Sequence, residues 1–383
     1  MPTSFSRTID KVEKGDNLTV VTSDDTPEGW TKVTTENGKV GYVKTKTLVN
    51  EQKIRDKLEI ENQIDGKISM VWDYFSVYAS APQRSGEIEG VNVVSPTFFS
   101  LQQSGKGNIV ANVGTAGVNY INWAHNNDYK VWALVSNDSM KDTTSEILND
   151  YKLREDLINN IITAVVTYNL DGINLDFENI YEADKDEFSR LVIELAPRLK
   201  ELGKVFSVDV TAPDGSPDWS LCYDRNVIGD VADYIAFMAY DQNGISSPEE
   251  GTTAGHDWVE ANIKKFLKQE EVPAEKILLG IPFYTRIWTE KNGEIDSNVV
   301  DMNDTYDNIP NDATIVWDDD LKQNYAEYQK NGKTYKVWIE DEKSIRCKLE
   351  LVNTYNLAGA CYWEKDRETK ETWEVVSEVL NIK

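Results

Sequence analysis

Histidine and cysteine are scarce in this chain. Two histidines among 383 residues leave no basis for a multi-histidine metal site and little for imidazole acid–base chemistry. Three cysteines, Cys222, Cys347 and Cys361, are widely spaced and odd in number. They form neither a disulfide framework nor a CxxC knuckle, and buried, inert thiols are expected. No apolar run reaches the roughly 18 residues of a membrane-spanning helix, so no span is expected. Positive charge is also short: 40 Lys and Arg stand against 66 Asp and Glu, a net charge of −26. Such an acidic chain is a poor partner for nucleic acid, whose phosphates need a basic patch. Aromatics, by contrast, are plentiful. With 11 Trp, 18 Tyr and 10 Phe, and 40% of residues hydrophobic, a sizeable core is available and global disorder is excluded.

The length exceeds an ordinary domain of about 100–200 residues, whereas an α/β barrel runs to about 250 or more. Charge divides the chain near residue 50. Residues 1–50 hold seven basic and seven acidic side chains, so residues 51–383 carry the whole negative balance, which supports a domain boundary there. Residues 1–50 read as short strands and turns: NLTVVTS (17–23), GWTKVTT (29–35) and GYVKTKTL (41–48), with Asn37-Gly38 as a hairpin signal. Residues 51–66 are charged and poor in apolar side chains, and read as a linker or a short helix. No export signal stands over residues 4–12. The chain is expected to be a piece of a longer exported protein.

From residue 67 a second rhythm begins. Eight apolar β runs follow in order: 67–75, 91–101, 129–137, 171–178, 205–213, 233–243, 277–288 and 358–366. Helix-like segments lie between them, including 151–169, 184–202, 255–269, 342–355 and 369–380. Alternating strands and helices predict parallel strands with right-handed crossovers, and eight of them favour a closed (β/α)8 TIM barrel over an open sheet. One interval is too long for a single helix, and a small α+β insertion is expected over 289–341. The fold class is therefore α/β: a TIM barrel with an insertion between strands seven and eight, preceded by a small all-β domain.

The chemistry concentrates in DGINLDFE (171–178). With period two along a strand, Gly172, Asn174, Asp176 and Glu178 share one face, and Ile173, Leu175 and Phe177 the other. The apolar face would meet the helices and the polar face the barrel interior. Glu178 falls at the C-terminal end of the fourth strand, where barrel enzymes place catalysis. Asp176 and Glu178 lie about 6.6 Å apart along the strand. In a confined site, repulsion and desolvation raise the pKa of at least one carboxyl, and a carboxyl kept protonated near neutrality can act as a general acid. The alternative is an internal polar ladder, which buried carboxylates without partners make costly.

DGINLDFE resembles the DGxDxDxE signature of glycoside hydrolase family 18, the chitinase-like enzymes. Three other segments support the likeness in order: MAYD (238–241), GIPFYTR (280–286) and Trp363. It covers residues 67–383. By this resemblance Glu178 is the catalytic acid/base, Asp176 orients the substrate's 2-acetamido N–H, and Tyr240 hydrogen-bonds its carbonyl. Asp241, Tyr284 and Arg286 line the same subsite, Trp363 is the floor under the sugar, and Asp171 and Asn174 complete the motif. Asp73 either points into the site or makes a structural hydrogen bond. The family uses substrate assistance in place of a second enzymatic carboxylate nucleophile, so no metal or organic cofactor is implied. Asn174 stands where the family has an Asp that shares a proton with its neighbour. This implies an altered pH optimum without loss of activity. Asn174 and Asn179 together resemble the branch of spore-cortex-lytic N-acetylglucosaminidases.

Residues 1–50 resemble a bacterial SH3-like domain, a β-barrel that often binds cell-wall peptides; a spacer without ligand is the other reading. The resemblance implies a secreted or spore-wall hydrolase that retains configuration and cleaves β-1,4 bonds at N-acetylglucosamine in peptidoglycan. A chitinase or endo-β-N-acetylglucosaminidase, and a non-catalytic chitinase-like lectin, are the alternatives. The partner is then a polysaccharide containing N-acetylglucosamine, and a monomer is expected. His125 and His256 read as packing or surface residues. Asp318, Asp319 and Asp320 lack calcium-loop spacing, and SLQQSGKG (100–107) lacks phosphate-loop spacing.

Overall fold

A computed structural model describes residues 8–13, 16, 18–21, 26–35, 39–48, 64–76 and 78–382. The chain divides into two compact units, 1–61 and 62–383. Most of the expected linker, and the Asn37-Gly38 turn, lie outside the described residues.

In the first unit, strands Leu18–Val20, Trp30–Thr35 and Val40–Lys44 form an antiparallel sheet. Val33, buried at its centre, faces the interior.

The second unit is a closed parallel barrel. Its strands are β1 (Ile68–Asp73), β2 (Val93–Pro96), β3 (Lys130–Ser136), β4 (Gly172–Asp176), β5 (Val205–Val210), β6 (Tyr234–Phe237), β7 (Ile277–Pro282) and β8 (Gly359–Trp363). Neighbours pair in sequence order, β8 returns to β1, and β2 closes onto β3 through Val93–Lys130 and Val94–Val131. Around them lie α1 (Gly114–Asn126), α2 (Lys141–Asn149), α3 (Tyr151–Tyr168), α4 (Lys185–Glu201), α5 (Arg225–Val231), α6 (His256–Lys268), α7 (Glu342–Thr354) and α8 (Lys370–Leu380). Among the described residues no helix joins β1 to β2, so the alternation begins only after β2.

Period two sorts the strands into two cores. Ile173, Leu175 and Phe177 point outward and are wholly buried against the helices. Ile68, Met70, Trp72, Val93, Trp132, Leu134 and Leu278 fill the barrel interior. Gly172 sits where strands crowd: a Cβ there would lie 2.6 Å from the Val205 carbonyl oxygen and 2.8 Å from Trp132. The second helix after β3, α3, is anchored by Asp150, whose side chain accepts from the Lys152 and Leu153 N–H groups and caps it.

Two expected strands are interrupted. The run 91–101 divides into β2 and a short strand Phe99–Leu101, which pairs with Val135 and Ser136 of β3. The run 277–288 ends at Pro282. After Phe283 the chain enters a separate antiparallel sheet of five strands, beginning with Tyr284–Lys291 and ending with Lys333–Ile339. The insertion thus starts earlier than residue 289, because unbroken apolar character conceals the bend. Within its junction with the barrel, Lys348 and Glu340 form a fully buried ion pair at 2.9 Å. Of the cysteines, Cys222 and Cys361 are buried and Cys347 is only half-buried.

Candidate active site

The C-terminal ends of the strands surround a cavity of about 190 Å³ lined by Trp72, Asp176, Glu178, Asp209, Met238, Tyr240, Asp241, Tyr284 and Trp363. Each wall follows from strand parity. Trp72 is the last inward residue of β1, Asp176 of β4, Asp209 of β5 and Trp363 of β8. The two tryptophan rings meet edge to face, with centroids 5.9 Å apart, and Tyr74 lies 6.0 Å from Trp363 on the outer side. An apolar floor of this kind suits the CH face of a sugar.

Glu178 lies two residues beyond β4, and its backbone is clamped. The Asn137 side chain, buried at the end of β3, accepts from the Glu178 N–H at 3.0 Å and donates to the Glu178 carbonyl at 2.8 Å. The Asn137 amide also donates to Thr144 at 3.0 Å. Tyr223 donates to the Phe177 carbonyl at 2.8 Å. Asn179 then takes a left-handed conformation at φ +52°, which Asn tolerates better than most residues, and turns the chain away.

The acidic groups do not behave as ordinary carboxyls. Both Asp176 and Glu178 keep some surface open to the cavity, yet their carboxyls lie away from bulk water. Desolvation pushes Asp176 well above the ordinary range, and the charges of Glu178 and Asp209 push the same way. Desolvation also raises Glu178, opposed by its hydrogen bond with Asp176 and assisted by Asp241. Asp209 is raised well above the ordinary range by burial, with hydrogen bonds from Asn174 and Trp72 working against it.

Asp241 sits at the end of the segment after β6, at φ +55°, a sparsely populated conformation that the site has to hold. Tyr284 donates to its carboxylate at 2.8 Å, and an Arg286 nitrogen stands 3.8 Å away. Arg286 is itself buried and held at 3.0 Å by Ser297 of the insertion.

The structure thus brings Asp176, Glu178, Tyr240, Asp241, Tyr284 and Trp363 to one cavity, with Arg286 behind Asp241. Three other expected site residues lie elsewhere. Asn174 is wholly buried within the barrel, accepting from Trp72 at 2.8 Å and donating to Ser207 at 3.0 Å. Asp73 faces outward, since Trp72 takes the inward position; it accepts from Arg84 and Tyr120. Asp171 precedes β4, at the N-terminal end of the barrel, where it bonds His125 at 2.8 Å and the Val131 N–H at 2.9 Å. Neither Asp73 nor Asp171 reaches the cavity. Sequence reasoning missed Asp209 and Asn137. The signal for Asp209 was present in VFSVDV, where Ser207 and Asp209 share the inward face.

Residues 67–368 match the family model "Glycosyl hydrolases family 18", and the chain belongs to that family of glycosidases. Among curated proteins it is similar to "Uncharacterized glycosylase YvbX" of Bacillus subtilis (strain 168), 25% identical over 299 residues, covering 75% of this chain and 84% of that one. It is also similar to the "Cortical fragment-lytic enzyme" of Bacillus subtilis (strain 168), 23% identical over 259 residues. That match covers 65% of this chain and 59% of the relative, so the chain spans well under two thirds of it. A crystal structure of chitinase from Chromobacterium violaceum ATCC 12472 shares the fold, with a TM-score of 0.71 and 24% identity, covering 83% of this chain and all of that one. Among the described residues no helix is long and apolar enough to cross a membrane.

Proposed function

We propose that this glycosidase cleaves β-1,4 bonds at N-acetylglucosamine in peptidoglycan with retention of configuration, and that spore cortex is its first candidate polymer. The observation that carries the reading is the Asp176–Glu178 pair, raised by desolvation at the floor of an open cavity walled by tryptophan. A raised Glu178 keeps its proton to higher pH than an ordinary carboxyl and delivers it to the glycosidic oxygen. The sugar's own acetamido carbonyl attacks the anomeric carbon as that bond breaks. Asp176 accepts from the acetamido N–H, and Tyr240 donates to its carbonyl, so the nucleophile is aligned before reaction. Glu178, now ionised, takes a proton from the water that opens the oxazolinium ion. Asp241, fixed by Tyr284 and Arg286, borders the same sugar, and Trp363 supports its apolar face. The polymer is inferred from the name of the cortical fragment-lytic relative; the charge of −26 speaks only against heavily anionic glycans, and cortex with many neutral muramic units suffers less from that repulsion.

In this reading residues 1–50 are an SH3-like unit that docks on wall peptides, 51–66 a linker, and 67–383 the catalytic domain. The enzyme then works as a monomer outside the cell or at the spore wall. Mass spectrometry tests it. Wild type and Glu178→Gln are incubated with cortex peptidoglycan, vegetative peptidoglycan and chitin oligosaccharides. Muropeptides with reducing N-acetylglucosamine ends, released only by wild type, are expected. Chitobiose from chitin alone would make it a chitinase. Binding without any product would make it a lectin.

A further inference from the structure

Four carboxyls, Asp176, Glu178, Asp209 and Asp241, line one small cavity, and the function above uses all of them but Asp209. Asp209 is 1% exposed. It receives the Asn174 amide at 2.5 Å. That amide has only one workable orientation: its oxygen accepts the Trp72 N–H at 2.8 Å and the Ser95 hydroxyl at 3.3 Å. Its nitrogen must therefore point at Ser207 and Asp209. A carboxyl that accepts hydrogen bonds from fixed donors is favoured as the anion. Asp176 is in the opposite situation. Its Oδ1 is buried without any hydrogen-bond partner, so it is the poorer place for a negative charge and the better one for a proton.

We propose that Asp209 is the charge partner of Asp176: its carboxylate on β5 supplies the negative charge that Asn174 cannot carry on β4, and so positions the proton held between Asp176 and Glu178. The inference rests on the glycosidase reading for its role in turnover, although the charge arrangement is independent of it. Asp209 acts through Asp176 and is a positioning residue. The groups facing this cluster are few. Asp138 stands at the end of β3 and adds to the field at Asp176. Tyr240 and Asp241 face it from the β6 side, Tyr284 and Arg286 from the insertion, Tyr223 from beside α5, and Cys361 from β8. Arg286 is the one cation among these, and it stands 3.8 Å from Asp241. Burial raises both carboxyls; at Asp176 the charges of Glu178 and Asp209 add to it, whereas at Asp209 the hydrogen bond from Asn174 opposes it and the charge of Glu178 adds to it.

Asp209→Asn tests the proposal, because an amide can still accept from Asn174 and removes only the charge. The variant should fold with near wild-type thermal stability. With one negative charge gone, the remaining pair deprotonates more easily. The alkaline limb of kcat/KM should move to lower pH by about one unit, a roughly tenfold fall in relative activity on that limb. The double variant Asn174→Asp with Asp209→Asn returns the charge to β4 and should restore the limb. Profiles that superimpose for wild type and Asp209→Asn would overturn the proposal, since Asp209 would then be neutral throughout. A uniform loss at every pH would also overturn it, marking a packing role. Infrared titration of the protonated carboxyl band reads the same shift without turnover. An enzyme inactive on every glycan would thus sink the functional reading, while the titration still decides this one.

Discussion

Asn137 offers the sharpest test of how the acid is held, because it touches only the backbone of Glu178. Its side chain forms one hydrogen bond to the Glu178 N–H and one to the Glu178 carbonyl, at 3.0 and 2.8 Å, a third to Thr144 at 3.0 Å and a fourth from the Ser139 N–H at 3.2 Å. Asn137→Ala removes all four and leaves their partners in a site that is 1% exposed at residue 137. At about 1 kcal/mol net for each bond the loss is about 4 kcal/mol. For a domain of this size that lowers Tm by roughly 8 °C. The larger effect should be kinetic. A shift of about 1 Å in an acid's position is worth roughly 100-fold, so kcat should fall by that order while KM changes little. Differential scanning calorimetry and steady-state kinetics on the oligosaccharide that proves to be a substrate read the two quantities. A variant that loses the expected stability yet keeps wild-type kcat would refute the reasoning, because the clamp would then serve folding and not the acid.

Two further outcomes are expected. Glu178 is held above its unfolded value, so its contribution to stability is fully present below that value, near pH 4.3. That contribution is lost as pH rises through the folded value. Glu178→Gln does not titrate, so its Tm relative to wild type should climb between acid and mildly alkaline pH, and a flat difference would contradict the raised acid. Lys348→Ala strands Glu340, which is wholly buried and whose only cation within 4 Å among the described residues is Lys348. It should destabilise the second unit by about 3–5 kcal/mol in urea unfolding, whereas a change under about 1 kcal/mol would mean that water reaches Glu340.

Much of the barrel was legible because parallel strands covered by helices leave apolar runs of the right length and spacing. The β4 motif was legible because polar and apolar side chains alternate without a break. The same rule, applied to 67–75, places Trp72 inward and so turns Asp73 outward; the attraction of a carboxylate near the site hid that. Asp171 shares the motif but stands a full strand's length from Glu178. Asn137 escaped notice because its work is done on a neighbour's backbone, which no spacing reports. The bend at Phe283 was concealed by ILLGIPFYTRIW, whose apolar character serves the barrel first and the insertion afterwards.

The meeting of Trp72 and Trp363 bears on the order in which the protein matures. Their strands β1 and β8 are the first and last of the ring, and they pair directly. During synthesis Glu178, the proposed acid, emerges early, but Trp363, the proposed floor under the sugar, is absent until the final strand has left the ribosome and docked. Tyr284 and Arg286 wait in the same way on a sheet that closes only through residues 333–339. A chain cut short before β8 would therefore carry every carboxyl and have nowhere to seat a substrate. On this reading hydrolytic power arrives last, as the ring closes, and a partly made copy cannot cut a glycan.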